Sequence, residues 1–349
     1  MKQNFKYKVI AVLMLFCVSL CSCKPEQQKN KYTAHSFDYF DTVATITGYE
    51  TSQAEFDKVS NEIFSQLSEY HNLYTIYHRF DGMENLCTIN EVKDGAHRTV
   101  KVDRRIIDML LYAKEMYNKT DGMLNIAMGS VLSLWHDYRT IGKDNPENAS
   151  LPPMAQLLEA AKHTDINKVL IDEENLTVTL TDPLMKLDVG AIAKGYATEQ
   201  IALYLEEKGI SGYLLNIGGN VRAIGSKPDG SDWLVGIENA NRDDYLAYLE
   251  ISDKSVVTSG SYQRYYTVDG KRYHHIIHPD TQMPATEFTS VSILCKDSGL
   301  GDALSTAIFC MPLEKGKTLI ESMNEVEAMW VSVDGNITVS SGWNKYIKK

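Results

Sequence analysis

Cysteine is scarce in this sequence and positive charge falls short of negative, and each shortage narrows what the protein can be. Six cysteines occur in 349 residues; Cys17, Cys21 and Cys23 sit at the N-terminus, so the body carries only Cys87, Cys295 and Cys310, widely spaced. That set is neither a disulfide framework nor a thiolate metal cluster. One pair could close in an oxidising compartment, and buried free thiols are the expected state. Lysine and arginine total 35 against 46 aspartates and glutamates, a formal charge of −11, so the chain has no general attraction for nucleic acid or anionic lipid. Also missing are a Gly-x-Ser-x-Gly elbow, a Walker A loop and a Rossmann glycine fingerprint behind a suitable strand. His274, His275 and His278 do not make a zinc site: the first two point to opposite faces of an extended strand, and no second ligand pair stands nearby.

The N-terminus has a basic segment (Lys2, Lys6, Lys8), then an almost wholly apolar run from Val9 to Leu20, then Cys21-Ser22-Cys23. The run falls short of the roughly 20 residues that a spanning helix needs, so residues 1–22 read as a cleaved leader. Leu20-Cys21-Ser22-Cys23 resembles the lipobox of bacterial lipoproteins, with Cys23 lipidated. Residues 23–36 are expected to be the lipidated cysteine and a flexible tether, polar and proline-containing from Lys24 to Lys31. Residues 37–349 are expected to form one globular body, held by that anchor outside the cytoplasm at a bacterial membrane, inner or outer.

No internal repeat or low-complexity block follows residue 31. The patterns predict a strand at Thr42–Tyr49, amphipathic helices at Ala54–Leu73 and Asp103–Asn118 with Asp103 as N-cap, further helix at Ile126–Tyr138, and another at Met154–His163 behind a polar loop. Strands dominate from Val169 onward: 169–172, 176–181, 213–217, 233–238, 245–251, 255–258, a hairpin around Val268-Asp269-Gly270-Lys271, and 290–295. Helices interrupt at Ala193–Lys208 and Leu300–Met311. The mixture argues for an α+β architecture with substantial antiparallel sheet rather than a doubly wound fold.

One segment carries the most chemistry. Asp188-Val189-Gly190-Ala191-Ile192-Ala193-Lys194-Gly195 places a carboxylate, two glycines and a lysine where a short apolar strand, Leu184–Leu187, turns into a helix closed by Gly209. Two readings stand: an anion-binding helix N-terminus with Lys194 as a mobile cation, or a connection in which Asp188 caps the helix. The second segment is Gly301-Asp302-Ala303-Leu304-Ser305-Thr306-Ala307. Asp302 and Thr306 share a helical face with Ser305 beside them, an all-oxygen set suited to Mg²⁺, or alternatively a cap with locally satisfied hydroxyls.

These segments, with Asn216-Ile217-Gly218-Gly219, Thr258-Ser259-Gly260 and His275-Ile276-Ile277-x-Pro279, resemble in order the ApbE family of FAD:protein FMN transferases, over about Phe37 to Lys349. The resemblance implies a T-fold-like α+β body that takes FAD and Mg²⁺, cleaves the pyrophosphate, attaches FMN to a threonine of a target protein and releases AMP. It implies Asp302, Thr306, the Ala191 carbonyl and, more weakly, Ser305 as the metal set. It also implies Asp188, Lys194, Ile277 and the backbone of Met123, Leu124 and Asn125 as FAD contacts, with the rings of Phe40 and Tyr77 flanking the ligand. His275 is the expected proton acceptor, since an ordinary histidine pKa suits a base at neutral pH; Asp188 or a metal-bound water is the rival. Two departures stand out: His278 where relatives commonly have aspartate before the proline, and Thr281-Gln282 where threonine-glycine is common. The implied acceptors are subunits of electron-transport complexes of the Rnf or sodium-pumping NADH:quinone reductase type. Hydrolysis of FAD to FMN and AMP at the same site, or FAD carriage without catalysis, are the competing functions.

Overall fold

The computed structural model describes residues 28–91, 98–240 and 244–348; the leader and Cys23 lie outside them. In chain order come strands β1 (Asn30–Tyr39) and β2 (Thr42–Glu50), helices α1 (Gln53–Tyr74) and α2 (Leu86–Asn90), strand β3 (Arg98–Lys101), and helices α3 (Arg104–Lys119), α4 (Gly129–Asp144) and α5 (Met154–Ala160). Strands β4 (Val169–Asp172) and β5 (Thr177–Leu180), helix α6 (Ala193–Glu207), and strands β6 (Tyr213–Ile217), β7 (Asn220–Ile224), β8 (Trp233–Glu238) and β9 (Tyr245–Ile251) follow. The chain closes with β10 (Ser255–Gly260), β11 (Tyr265–Val268), β12 (Lys271–His274), β13 (Phe288–Cys295), α7 (Ser298–Phe309), α8 (Leu313–Glu321), β14 (Glu327–Ser332) and β15 (Ile337–Val339).

An eight-stranded sheet in the order β1-β2-β6-β7-β10-β13-β14-β15 is antiparallel at every pairing, which bears out the α+β expectation. Helices α1, α6 and α7 cover one face, burying Phe56, Ile63 and Leu67, Ala197 and Ile201, and Leu304 and Ile308 against Ile46, Leu215 and Ile293. The other face carries Ala223, Val256, Leu294 and Met329, which pack under the β8–β9 hairpin and Trp343. Central strands are therefore buried on both sides; β13 is apolar or small along most of its length for that reason. Trp135 of α4, Leu157 of α5 and Tyr266 of β11 form a satellite cluster beside the main body.

Two expectations are corrected, and one of two alternatives at residue 302 is removed. Residues 30–36, assigned to the tether, belong to β1, which pairs with β2 from Asn30–Glu50 to Tyr39–Thr42; its mixed, largely exposed residues hide an edge strand that has one neighbour and little to bury. Leu184–Leu187 is no strand: Lys186 makes a single isolated bridge to Met128. The α7 cap is Asp297, whose side chain accepts from Gly299 and Leu300 N–H, so Asp302 is free of that duty. Cys295 and Cys310 are buried free thiols and Cys87 is a half-buried one.

Candidate functional site

A cleft of about 530 Å³ opens where the start of β7, the end of β10, the start of α6, the middle of α7, the loop Thr75–Tyr77 and one face of α4 converge. Small-molecule sites run from about 300 to 1,000 Å³. Phe40, Tyr77, Met123, Leu124, Asn125, Asp188, Ala191, Lys194, His275, Ile277, Asp302 and Thr306 all line it. Ser305 does not. It is fully buried, donates its hydroxyl to the Asp302 carbonyl at 3.0 Å, and meets the cleft only through Ser259 Oγ, 2.8 Å away.

One wall is built from oxygen. Asp302 is 4% exposed; its Oδ2 accepts from Gly195 N–H at 2.8 Å and lies 3.5 Å from Lys194 Nζ. Burial pushes its carboxyl up from the ordinary value while Lys194 opposes that shift. Gly195 N–H, which a regular first turn would aim back at Ala191, is thus spent on Asp302, and among the described residues no donor reaches the Ala191 carbonyl. Buried Asn220 Oδ1 has no hydrogen-bond partner, and Thr306 Oγ1 stands 3.3 Å from Ser259 Oγ. A carboxylate, a hydroxyl, an orphaned amide oxygen and a free carbonyl are the donor set a hard cation takes. Among the described residues no group of three or more His, Cys, Asp and Glu side chains could hold a metal.

The segment 188–195 is neither of its two sequence readings taken alone. Asp188 Oδ1 accepts from Gly190 N–H at 2.9 Å, a turn three residues ahead of α6, and the helix itself begins at Ala193 without a side-chain cap. Asp188 Oδ2 faces His136 Nε2 at 3.8 Å, and His136 Nδ1 lies 3.1 Å from the Tyr77 hydroxyl.

Another part of the lining is cationic. Arg139 and Arg264 line the cleft. Arg264 donates to the Phe40 and Asp41 carbonyls at 3.3 and 3.1 Å, which holds those two residues at φ of 54° and 51°. Arg139 has no ion-pair partner among the described residues, and burial depresses its pKa. His275 lines the cleft among these cations. Its Nδ1 is 3.1 Å from the Arg264 carbonyl, which only accepts, so Nδ1 carries the proton and Nε2 keeps a lone pair. Burial first, then Arg264, His274, Arg139 and Lys194, push its pKa down to about 3. The ring is neutral at pH 7, but it is a far weaker base than an ordinary histidine.

The turn at the two sequence departures is held by its own hydrogen bonds. His278 Nδ1 accepts from Asp280 N–H at 3.1 Å, as an aspartate would, and Gln282 takes φ 56° while donating to the Pro279 carbonyl. Sequence reasoning missed His136, Arg139 and Arg264 and gave Asn220 no role. The first two were detectable as basic side chains at i and i+3 on one helical pattern; the others carry no local signal.

The ApbE family model matches residues 40–330. The chain is 31% identical to an FAD:protein FMN transferase of Klebsiella pneumoniae, over 82% of this chain and 85% of that one. It is also 31% identical to an FAD:protein FMN transferase of Treponema pallidum, over 98% and 96%. Among solved structures it is similar to the ApbE protein of Thermotoga maritima, with a TM-score of 0.79, 29% identity, and 92% and 100% of the two chains covered. The fold also matches the flavin transferase ApbE of Vibrio cholerae, with a TM-score of 0.76, 24% identity, and 91% and 99% coverage.

Proposed function

The chain belongs to the ApbE family, and from that premise we propose that it is a transferase that cleaves FAD and attaches FMN to a threonine hydroxyl of an acceptor protein, releasing AMP. The observation that carries this is the meeting of segments 188–195 and 302–306 through Gly195 and Asp302 in one cleft, facing two arginines and a neutral histidine.

Asp302, Thr306 and the Ala191 carbonyl would hold Mg²⁺, with Asn220 Oδ1 and, through Ser259, Ser305 beside them. When bound, the ion supplies charge stabilisation for the pyrophosphate oxygens. The remaining work falls to the chain. Lys194, Arg139 and Arg264 present fixed positive charge to a diphosphate whose negative charge builds as its bridging bond breaks. Phe40 and Tyr77 offer ring faces for stacking at the mouth. His275 Nε2 accepts the proton of the threonine hydroxyl. An anionic ligand among those cations raises the His275 pKa toward a useful range, because it offsets the charges that depress it.

The anchor through Cys23 on the periplasmic side of the membrane, and acceptor subunits of Rnf or sodium-pumping NADH:quinone reductase type, belong to the same proposal; they rest on the sequence of residues 1–23 and on the family resemblance.

Incubation with FAD, Mg²⁺ and a threonine-bearing acceptor fragment tests the activity. A flavin-fluorescent acceptor band with matching AMP is expected. AMP and free FMN without a labelled acceptor would make the protein a hydrolase, and neither product despite FAD binding would leave only a carrier.

A further inference from the structure

Helices α6 and α7 and strand β7 meet at the oxygen wall, and they meet again one step behind it. At the wall, Gly195 N–H reaches Asp302 Oδ2, and a β-carbon on Gly195 would fall 3.1 Å from Asn220 Oδ1. Behind it, Ser298 N–H donates to Glu199 Oε2 at 2.8 Å, and Arg222 grips the same carboxylate through Nε at 3.1 Å and Nη2 at 3.4 Å. Glu199 follows Gly195 by one helical turn and Ser298 precedes Asp302 by one, an axial step of about 6 Å. Arg222 follows Asn220 by two residues on the same strand face, a step of about 6.6 Å. The two levels are therefore rungs of one ladder, built on the same three elements with matching rise.

The second rung is dry. Arg222 is 0% exposed and Glu199 5%. Arg222 also donates to Glu206 Oε1, at 2.7 Å, and to the Ala223 carbonyl. A buried ion pair is a poor way to add stability, since well-packed apolar groups of the same volume hold layers together as well or better. A guanidinium fork on a carboxylate does add direction: it fixes two elements to within a hydrogen bond, along as well as across their axes. We propose that Arg222 and Glu199 are positioning residues for the cation end of the cleft, setting the register of α6, α7 and β7 so that Ala191, Asn220, Asp302 and Thr306 converge. This rests on the reading of Asp302 as a metal ligand.

The test uses the full-length protein in detergent and Mn²⁺ as an EPR-visible stand-in for Mg²⁺. Wild type should bind one Mn²⁺ that Asp302→Ala loses. The apolar exchange Glu199→Leu with Arg222→Met should keep Tm near wild type yet weaken Mn²⁺ about 10- to 100-fold, the size of effect seen when the supports of metal ligands are removed. Equal Mn²⁺ affinity at equal Tm would overturn the positioning role while leaving the metal reading standing. Mn²⁺ binding indifferent to Asp302→Ala would overturn both. If the apolar pair misfolds, Arg222→Lys, which keeps the charge and loses the fork, decides the matter: wild-type affinity in the folded variant contradicts the proposal, and weakened affinity supports it.

Discussion

Gly195 donates its backbone N–H to the Asp302 carboxylate at 2.8 Å, and no β-carbon fits between the two residues. A methyl group on Gly195 would lie 2.4 Å from Asp302 Cβ and 2.4 Å from the Ser298 carbonyl oxygen. The glycine serves the approach of α6 to α7 rather than any special backbone angle.

Gly195→Ala is therefore expected to force the two helices apart. The overpacking should cost about 1–3 kcal/mol of stability, read from urea unfolding, and AMP release from FAD should fall by more than the lost folded fraction explains. Wild-type values for both would mean that the helices yield freely and that their spacing is not set here.

The titration of His275 gives a second prediction. The folded protein holds this ring neutral, with its pKa pushed from 6.5 to about 3. The unfolded chain binds the proton below about 6.5, so the stability that this group contributes is complete above that pH and is lost as pH falls toward 3. His275→Gln should remove that component, and its unfolding midpoint should fall less than that of wild type between pH 7 and pH 4. NMR of the ring should show a pKa that rises when FAD binds; a value near 6.5 in the free protein, unmoved by FAD, contradicts the charge argument.

Arg139 supplies the third. A desolvated guanidinium with no ion-pair partner among the described residues awaits an anion. Arg139→Ala should raise the Kd for FAD about tenfold or more, consistent with about 1.5–3 kcal/mol for a hydrogen bond to a charged group, and should flatten the dependence of Kd on salt. Unchanged affinity and salt slope in fluorescence titrations would place the diphosphate elsewhere.

How far the sequence alone reaches is shown by particular residues. The helix over 193–207 and strands β6, β8, β9 and β10 were legible because alternation and helical spacing are local signals, whereas β7 was missed. β1 was not, because Asn30–Tyr39 is an edge with few apolar positions. The neighbouring of β2 and β6 was not, because nothing in Thr42–Glu50 says that its partner lies beyond residue 212. The same locality explains the site. Asp188, Lys194, Asp302 and Thr306 stand in short ordered motifs, whereas His136 and Arg139 matter only once α4 folds across the cleft, and Arg264 only once it reaches back to Phe40. Ser305 sits in a motif yet turns inward, because the rotamer that bonds the Asp302 carbonyl takes its hydroxyl away from the cleft.

In the proposed reaction Asp302 anchors the cation on which FAD cleavage and FMN transfer depend. The most direct measurement is intact mass of the acceptor together with AMP release, for wild type and Asp302→Ala, across a Mg²⁺ titration with folding checked by circular dichroism. Wild type should give one FMN adduct per AMP, rising with Mg²⁺, and a folded Asp302→Ala protein should give neither product. Adduct formed by the variant at the wild-type rate and with the wild-type Mg²⁺ dependence would contradict that role for Asp302.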